Sequence, residues 1–263
     1  MTDTQNAEEM ELLKRRLEIA IKDLDRQFGE NTVIRLGSAN IVPHASISTG
    51  ALSLDVILGI GGVPVGRIIE LFGPESSGKS TLCLSLAHEA QKQGGTVLYI
   101  DAEHALDPAY AQNLGVNMDD LLLAQPETGE EALEIVSKVV ETGAVSLVVV
   151  DSVAALTPRA ELEGNMDQQH MGLLPRLMAK GMRKIVGAAN MTGTTVVFVN
   201  QLREKIGIMF GNPETTPGGR ALKFAASVRI DLRRVEDIKA KDGSVIGTRV
   251  KAKIPKNKMA PPL

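Results

Sequence analysis

The sequence predicts an α/β protein: a mostly parallel twisted sheet covered by helices on both faces, antiparallel strands at its edge, and an N-terminal docking helix. Three observations carry this. Short runs that are apolar throughout, such as 147–150 and 195–199, alternate with segments of helical period, as parallel strands buried on both faces do. After Phe224 the helical signal stops and alternating apolar and charged residues take over, which marks strands with one solvated face. An amphipathic stretch stands ahead of all this, followed by a mixed region rich in turn residues.

In chain order, Met10, Leu13, Leu17, Ala20, Ile21, Leu24 and Phe28 recur at spacings of three and four. They predict a helix over 8–28 that Gly29 ends. Its apolar face must dock, on its own domain or on a neighbouring subunit; the division expected is an oligomerisation helix, 1–30, and a core, 31–263. The mixed stretch 30–66 holds Pro43, Gly61-Gly62 and Pro64. Strands follow at 68–72, 96–100, 121–124, 147–150 and 195–199, with helices at 79–93, 108–114, 130–141 and 172–189 between them. Strands at 227–232 and 248–254 are joined through the turn signal Asp242-Gly243.

Composition narrows the function. With 263 residues, 43% hydrophobic and 23% charged, the chain reads as a globular protein. One cysteine, Cys83, excludes a disulfide framework and a cysteine-built metal site. No apolar run reaches the ~18 residues of a membrane span, and the polar, acidic start is unlike a signal peptide, so a cytoplasmic location without membrane partners is expected. There is no Trp, and only two Tyr and five Phe, too few for a base-stacking platform. Any nucleic acid would be held by backbone and charge. The net charge of −3 comes from residues 1–30, with eight acids and five bases; the rest is balanced. Within it Arg176, Lys180, Arg183 and Lys184 stand on one helical face, and Arg249, Lys251, Lys253, Lys256 and Lys258 fall in ten residues.

Gly73-Pro74-Glu75-Ser76-Ser77-Gly78-Lys79-Ser80 has the spacing of a phosphate-binding loop between a strand and a helix. Its glycines let backbone N–H groups converge on phosphates at a helix N-terminus. Lys79 would reach the β- and γ-phosphates and Ser80 would ligate Mg²⁺. Asp151, ending an apolar strand, is the matching acid for Mg²⁺. Glu103, after the strand at 96–100, is a candidate to orient or deprotonate water. Gln201 follows the strand at 195–199 and could sense the γ-phosphate. Residues 202–219 show no period, as a functional loop would, and a shorter loop, 161–170, precedes the basic helix.

The blocks 73–81, 101–110, 147–156 and 200–224 strongly resemble the bacterial RecA recombinase family. The resemblance runs from about residue 10 to the end. It implies a RecA-type P-loop NTPase core using ATP and Mg²⁺, with Thr81 completing the nucleotide loop and Tyr110 stacking on adenine. It makes Glu103 the catalytic carboxylate and Gln201 the coupler of ATP to two DNA loops, 161–170 and 202–217. Met166, Arg176, Arg183, Arg203, Phe210, Asn212, Gly218 and Gly219 correspond to the DNA side. Lys256 and Lys258 correspond to a pair that reaches the neighbouring subunit's γ-phosphate. The expectation is a DNA-dependent ATPase that forms a helical filament on single-stranded DNA, pairs it with homologous duplex DNA, and promotes self-cleavage of the SOS repressor, in the cytoplasm at the nucleoid. Two features differ from the family: 28–32 reads Phe28-Gly29-Glu30-Asn31-Thr32 where Gly-Lys-Gly is usual, and the chain stops where a small C-terminal domain is expected. A helicase or repair ATPase on the same core, and a filament partner impaired in duplex capture, remain open at this point.

Overall fold

The computed structural model describes residues 3–30, 32–33, 45–164, 172–204 and 214–262. They fall into two compact units, Met1–Pro43 and His44–Leu263. The first is built on α1 (Asp3–Phe28). It starts earlier than periodicity suggests, because the polar residues ahead of Met10 are helix-compatible but carry no apolar signal. Gly29, at φ +106°, ends it: its N–H returns to the Asp25 carbonyl, and the Asp25 carboxylate accepts from the Thr32 N–H. Met10, Leu13 and Leu17 are exposed.

The second unit runs β1 (Ser46–Ile47), α2 (Leu52–Leu58), β2 (Val63–Pro64), β3 (Ile68–Gly73), α3 (Lys79–Lys92), β4 (Val97–Asp101), α4 (Pro108–Asn113), β5 (Leu121–Ala124), α5 (Gly129–Thr142) and β6 (Leu147–Asp151). A 3-10 turn, Val153–Ala155, leads to α6 (Arg159–Leu162) and α7 (Leu173–Thr192). Then come β7 (Thr195–Gln201), β8 (Arg203–Glu204), β9 (Glu214–Thr215), α8 (Ala221–Ala225), β10 (Val228–Lys239) and β11 (Val245–Asn257).

The main sheet has seven strands in the order β11-β10-β3-β7-β6-β4-β5. Every neighbouring pair is parallel except β10–β11, as the sequence predicts. β3, β4, β6 and β7 are buried almost end to end, which is why their sequences do not alternate. One apolar cluster joins α2 and α3 to one sheet face; a second joins α5, α7 and α8 to the other. Gly181 lets α7 approach α5: a Cβ there would lie 2.8 Å from the Leu133 Cδ1.

Three features depart from the expectations. The stretch 45–66 is not irregular: β1 and β2 pair antiparallel around α2, elements too short to show a period. The segment 202–219 carries structure at both ends, because β8 and β9 pair antiparallel. β11 extends to Asn257, so Lys256 lies inside the strand rather than beyond it; its charged residues hide a ladder held by the backbone.

Candidate functional site

The parallel strands end on one edge, where a doubly wound sheet offers its crevice. Asp101 and Asp151 are side by side in register at the ends of β4 and β6, as are Gly73 and Gln201 at the ends of β3 and β7. The loop after β3 needs its glycines. A Cβ on Gly73 would sit 2.2 Å from the Leu232 carbonyl oxygen, and Gly78 caps α3 at φ +85°. No side chain caps α3, so its leading N–H groups stay open to an anion. Lys79 Nζ donates to the Pro74 carbonyl at 2.6 Å and the Gly73 carbonyl at 3.2 Å. Burial lowers its pKa, against the pull of Asp151, Glu103 and Glu75. Glu75 and Ser76 are exposed; the Ser77 hydroxyl is buried with no hydrogen-bond partner.

Ser80 Oγ donates to Asp151 Oδ2 at 2.8 Å, and the Tyr99 hydroxyl donates to the same oxygen at 2.8 Å. Burial raises the Asp151 pKa, and the two hydrogen bonds oppose this. Hydroxyl and carboxylate oxygens suit a hard cation such as Mg²⁺, which keeps waters and takes the rest of its shell from phosphate oxygens. Among the described residues no group of three or more His, Cys, Asp or Glu could hold a metal by itself. The donor set therefore fits a cation that arrives with a phosphate ligand.

Glu103 is exposed on the turn after β4. Asp101 builds that turn: its carboxylate accepts from the Ala105 N–H at 3.0 Å, the Leu106 N–H at 3.2 Å and Gln125 Nε2 at 3.1 Å. Glu103 Oε1 accepts from Gln201 Nε2 at 3.0 Å and from the Ser152 hydroxyl. A cis peptide bond joins Asp151 to Ser152. Lys79, Ser80, Glu103, Asp151, Ser152 and Gln201 thus line one cleft of about 250 Å³. Beside it a larger cleft, about 650 Å³, lies between Ser76, Thr81, Tyr110, Thr49, Thr248 and Val250. Asp107 caps α4, and Thr81 Oγ1 lies 2.9 Å from the Tyr110 hydroxyl, which fixes a ring left 42% exposed at the cleft.

Met166, Phe210 and Asn212 lie outside the described residues. Arg203 is exposed in β8, opposite Thr215 of β9. Gly218 and Gly219, at φ +82° and +76°, run close to α7: Cβ atoms there would meet Met178 Cγ at 3.2 Å and Pro175 Cβ at 2.9 Å. The four basic residues of α7 are all exposed. Lys180 and Lys184, however, share a groove with Glu130 and Glu134 of α5, which leaves Arg176 and Arg183 as the pair without those acids beside them. Lys256 lines neither of the two clefts. Its Nζ donates to the Lys223 and Phe224 carbonyls at 2.7 and 3.0 Å; the Lys258 N–H donates to the Ser227 carbonyl.

Sequence reasoning missed Tyr99, Ser152, Asp101 and Gln125. Tyr99, Ser152 and Gln125 act through neighbours that the pairing of separate strands supplies, whereas Asp101 mainly builds its own turn. Asp101 alone carried a signal, as the acid ending a strand beside Glu103.

The chain matches a protein family described as the RecA N-terminal domain over residues 15–263. It is 58% identical over 246 residues to Protein RecA of Caldanaerobacter subterraneus subsp. tengcongensis, covering 94% of this chain and 72% of that protein. It is 56% identical over 257 residues to Protein RecA of Clostridium beijerinckii, covering 98% and 70%. Protein RecA of Amycolatopsis mediterranei is 57% identical over 246 residues, covering 94% and 70%.

Proposed function

Because the chain belongs to the RecA family, we propose that it is a DNA-dependent ATPase that assembles as a helical filament on single-stranded DNA and exchanges strands with a homologous duplex. In a cell this would place it in the cytoplasm at the nucleoid, where the filament would also promote self-cleavage of the SOS repressor. One observation carries the reading. Gln201 holds Glu103 at 3.0 Å inside the phosphate cleft and also opens the 202–217 segment, so the residue that touches the chemistry is joined by backbone to the DNA-side loop.

In this mechanism the nucleoside lies in the larger cleft against Tyr110, and the phosphates lie along residues 73–81. Lys79 turns from the Pro74 carbonyl to the phosphates. Mg²⁺, held by Ser80 and Asp151, would neutralise charge on the phosphate oxygens. Glu103 takes the proton of the attacking water, oriented by the Ser152 and Gln201 contacts. Arg176, Arg183, Arg203 and the 161–170 and 202–217 loops hold the DNA backbone. Lys256 and Lys258 complete the site of the adjacent subunit, as an arginine finger does, and α1 ties neighbours together.

The test is ATP hydrolysis with and without single-stranded DNA, alongside electron microscopy. DNA-stimulated hydrolysis and helical filaments are expected; rings, or hydrolysis indifferent to DNA, would count against the reading. Lys79→Ala abolishes turnover. Glu103→Gln keeps nucleotide binding and assembly while turnover falls ~10²-fold or more. Mixing Lys79→Ala chains with Lys256→Ala/Lys258→Ala chains, each nearly inactive alone, restores part of the activity, because one class of interface pairs an intact loop with intact lysines.

A further inference from the structure

A cross-strand row on the face packed by α7 and α8 starts from a buried carboxylate to which this mechanism gives no part. Glu70 of β3 is fully buried. It is in register with Arg229 of β10, which is in register with Lys256 of β11. Two cations therefore stand side by side with one carboxylate at the end of the row. Glu70 Oε2 takes Arg229 Nε at 2.5 Å, with the guanidinium 4.5 Å from the Phe72 ring centre. Glu70 Oε1 accepts from Asn200 Nδ2 at 3.2 Å, and the same amide nitrogen donates to the Pro217 carbonyl at 3.2 Å. Asn200 is also fully buried and precedes Gln201.

An ionised carboxylate in the core needs a reason, since apolar residues in its place cost nothing in desolvation. Here its charge answers Arg229. Without it, the guanidinium would stand uncompensated next to the Lys256 ammonium, whose pKa is already lowered by burial and by repulsion from Lys258 and Arg229, with Glu70 opposing. The bonds from Lys256 to the Lys223 and Phe224 carbonyls fix one side of that lysine; the Arg229–Glu70 pair sets the electrostatics of the other.

We propose that Glu70 is a positioning residue: by anchoring Arg229 it holds Lys256 where it serves the adjacent subunit, and through Asn200 it links that placement to the Pro217 end of the DNA-side segment. This rests on the in-trans role given to Lys256 above.

The decisive variant is Glu70→Gln, which keeps shape and removes charge. DNA-stimulated kcat is expected to fall about 10- to 100-fold, the cost of misplacing a group in the reacting geometry, while KM for ATP changes less than about threefold. Because the fault lies in the lysine given to the neighbour, Glu70→Gln chains mixed with Lys79→Ala chains should recover activity; roughly a quarter of the interfaces in a random equimolar filament would join an intact loop to a correctly held lysine. Glu70→Asp, which keeps the charge, should fall between parent and Glu70→Gln. If Glu70→Gln folds poorly, Glu70→Gln/Arg229→Gln removes both charges and is put through the same mixing. Parent-like kcat in the folded variant, or a loss that mixing does not repair, overturns the proposal. If the parent itself shows no DNA-stimulated hydrolysis, the proposed function fails first, and that outcome is read separately.

Discussion

The role proposed for Asp151 is that of a charged ligand, in a place that disfavours charge. Burial raises its pKa, with hydrogen bonds from Tyr99 and Ser80 lowering it and Glu103 and Asp101 raising it further. A carboxylate raised in this way binds its proton more tightly folded than unfolded. Its contribution is most favourable below the unfolded pKa and becomes a cost as pH rises through the folded one. Asp151→Asn should therefore raise the Tm of the protein free of nucleotide and Mg²⁺ at about pH 8. The sign of the change, a rise, is the expected outcome. The difference from the parent should shrink as the buffer falls toward pH 4. Calorimetry at the two pH values measures it; a lower Tm for the variant at pH 8 would contradict it. The same change removes an oxygen from the proposed Mg²⁺ set, so the gain in stability accompanies a loss of turnover.

At the scale of elements, α7 offers a matched comparison. Gly181 and Gly187 lie in the same helix. A Cβ on Gly187 meets nothing within 4 Å, whereas one on Gly181 meets buried Leu133 at 2.8 Å. Gly187→Ala should stabilise by about 0.5–1 kcal/mol through helix propensity. Gly181→Ala should destabilise by about 1 kcal/mol, since overpacking against α5 outweighs the same gain. Denaturant midpoints of the two variants test the pair of signs. The elements also show what a sequence discloses. The strands β3, β4, β6 and β7 were legible because burial on both faces leaves unbroken apolar runs. The phosphate loop was legible because its glycines are forced by local geometry and so fall at fixed spacing. β1, α2 and β2 were not, being too short for a period. Nor were the ends of β10 and β11, where backbone pairing continues through residues that read as a charged tail. Around Glu103 the carboxylate itself was legible, but Ser152 and Gln125 were not, because their contacts cross from other strands.

For the whole molecule, a net charge of −3 means that attraction to a polyanion must be local. Arg176 and Arg183 of α7, with Arg203 of β8, are exposed and make no base-reading pattern. Binding to single strands should thus be nearly blind to sequence and should weaken steeply with salt. Arg176→Ala should weaken poly-pyrimidine and mixed strands alike and reduce the slope of log K against log salt by about 0.7, one phosphate contact's share. Titrations at two or more salt concentrations decide this; an unchanged slope, or a loss confined to one sequence, would remove Arg176 from the backbone contacts.

The contacts of Lys79 Nζ with the carbonyls of Pro74 and Gly73 set the loop's own backbone in competition with the phosphates proposed to bind there. On that reading, capture of a nucleotide would be an exchange of hydrogen-bond partners at the ammonium rather than a new bond. A ligand that reaches Nζ with strongly charged oxygens returns more than the carbonyls gave. A nucleoside or a monophosphate, too short to reach it, leaves the lysine where it was and gains nothing from it. On the proposed function, selection for the length of the phosphate chain would follow from this exchange of partners at Lys79.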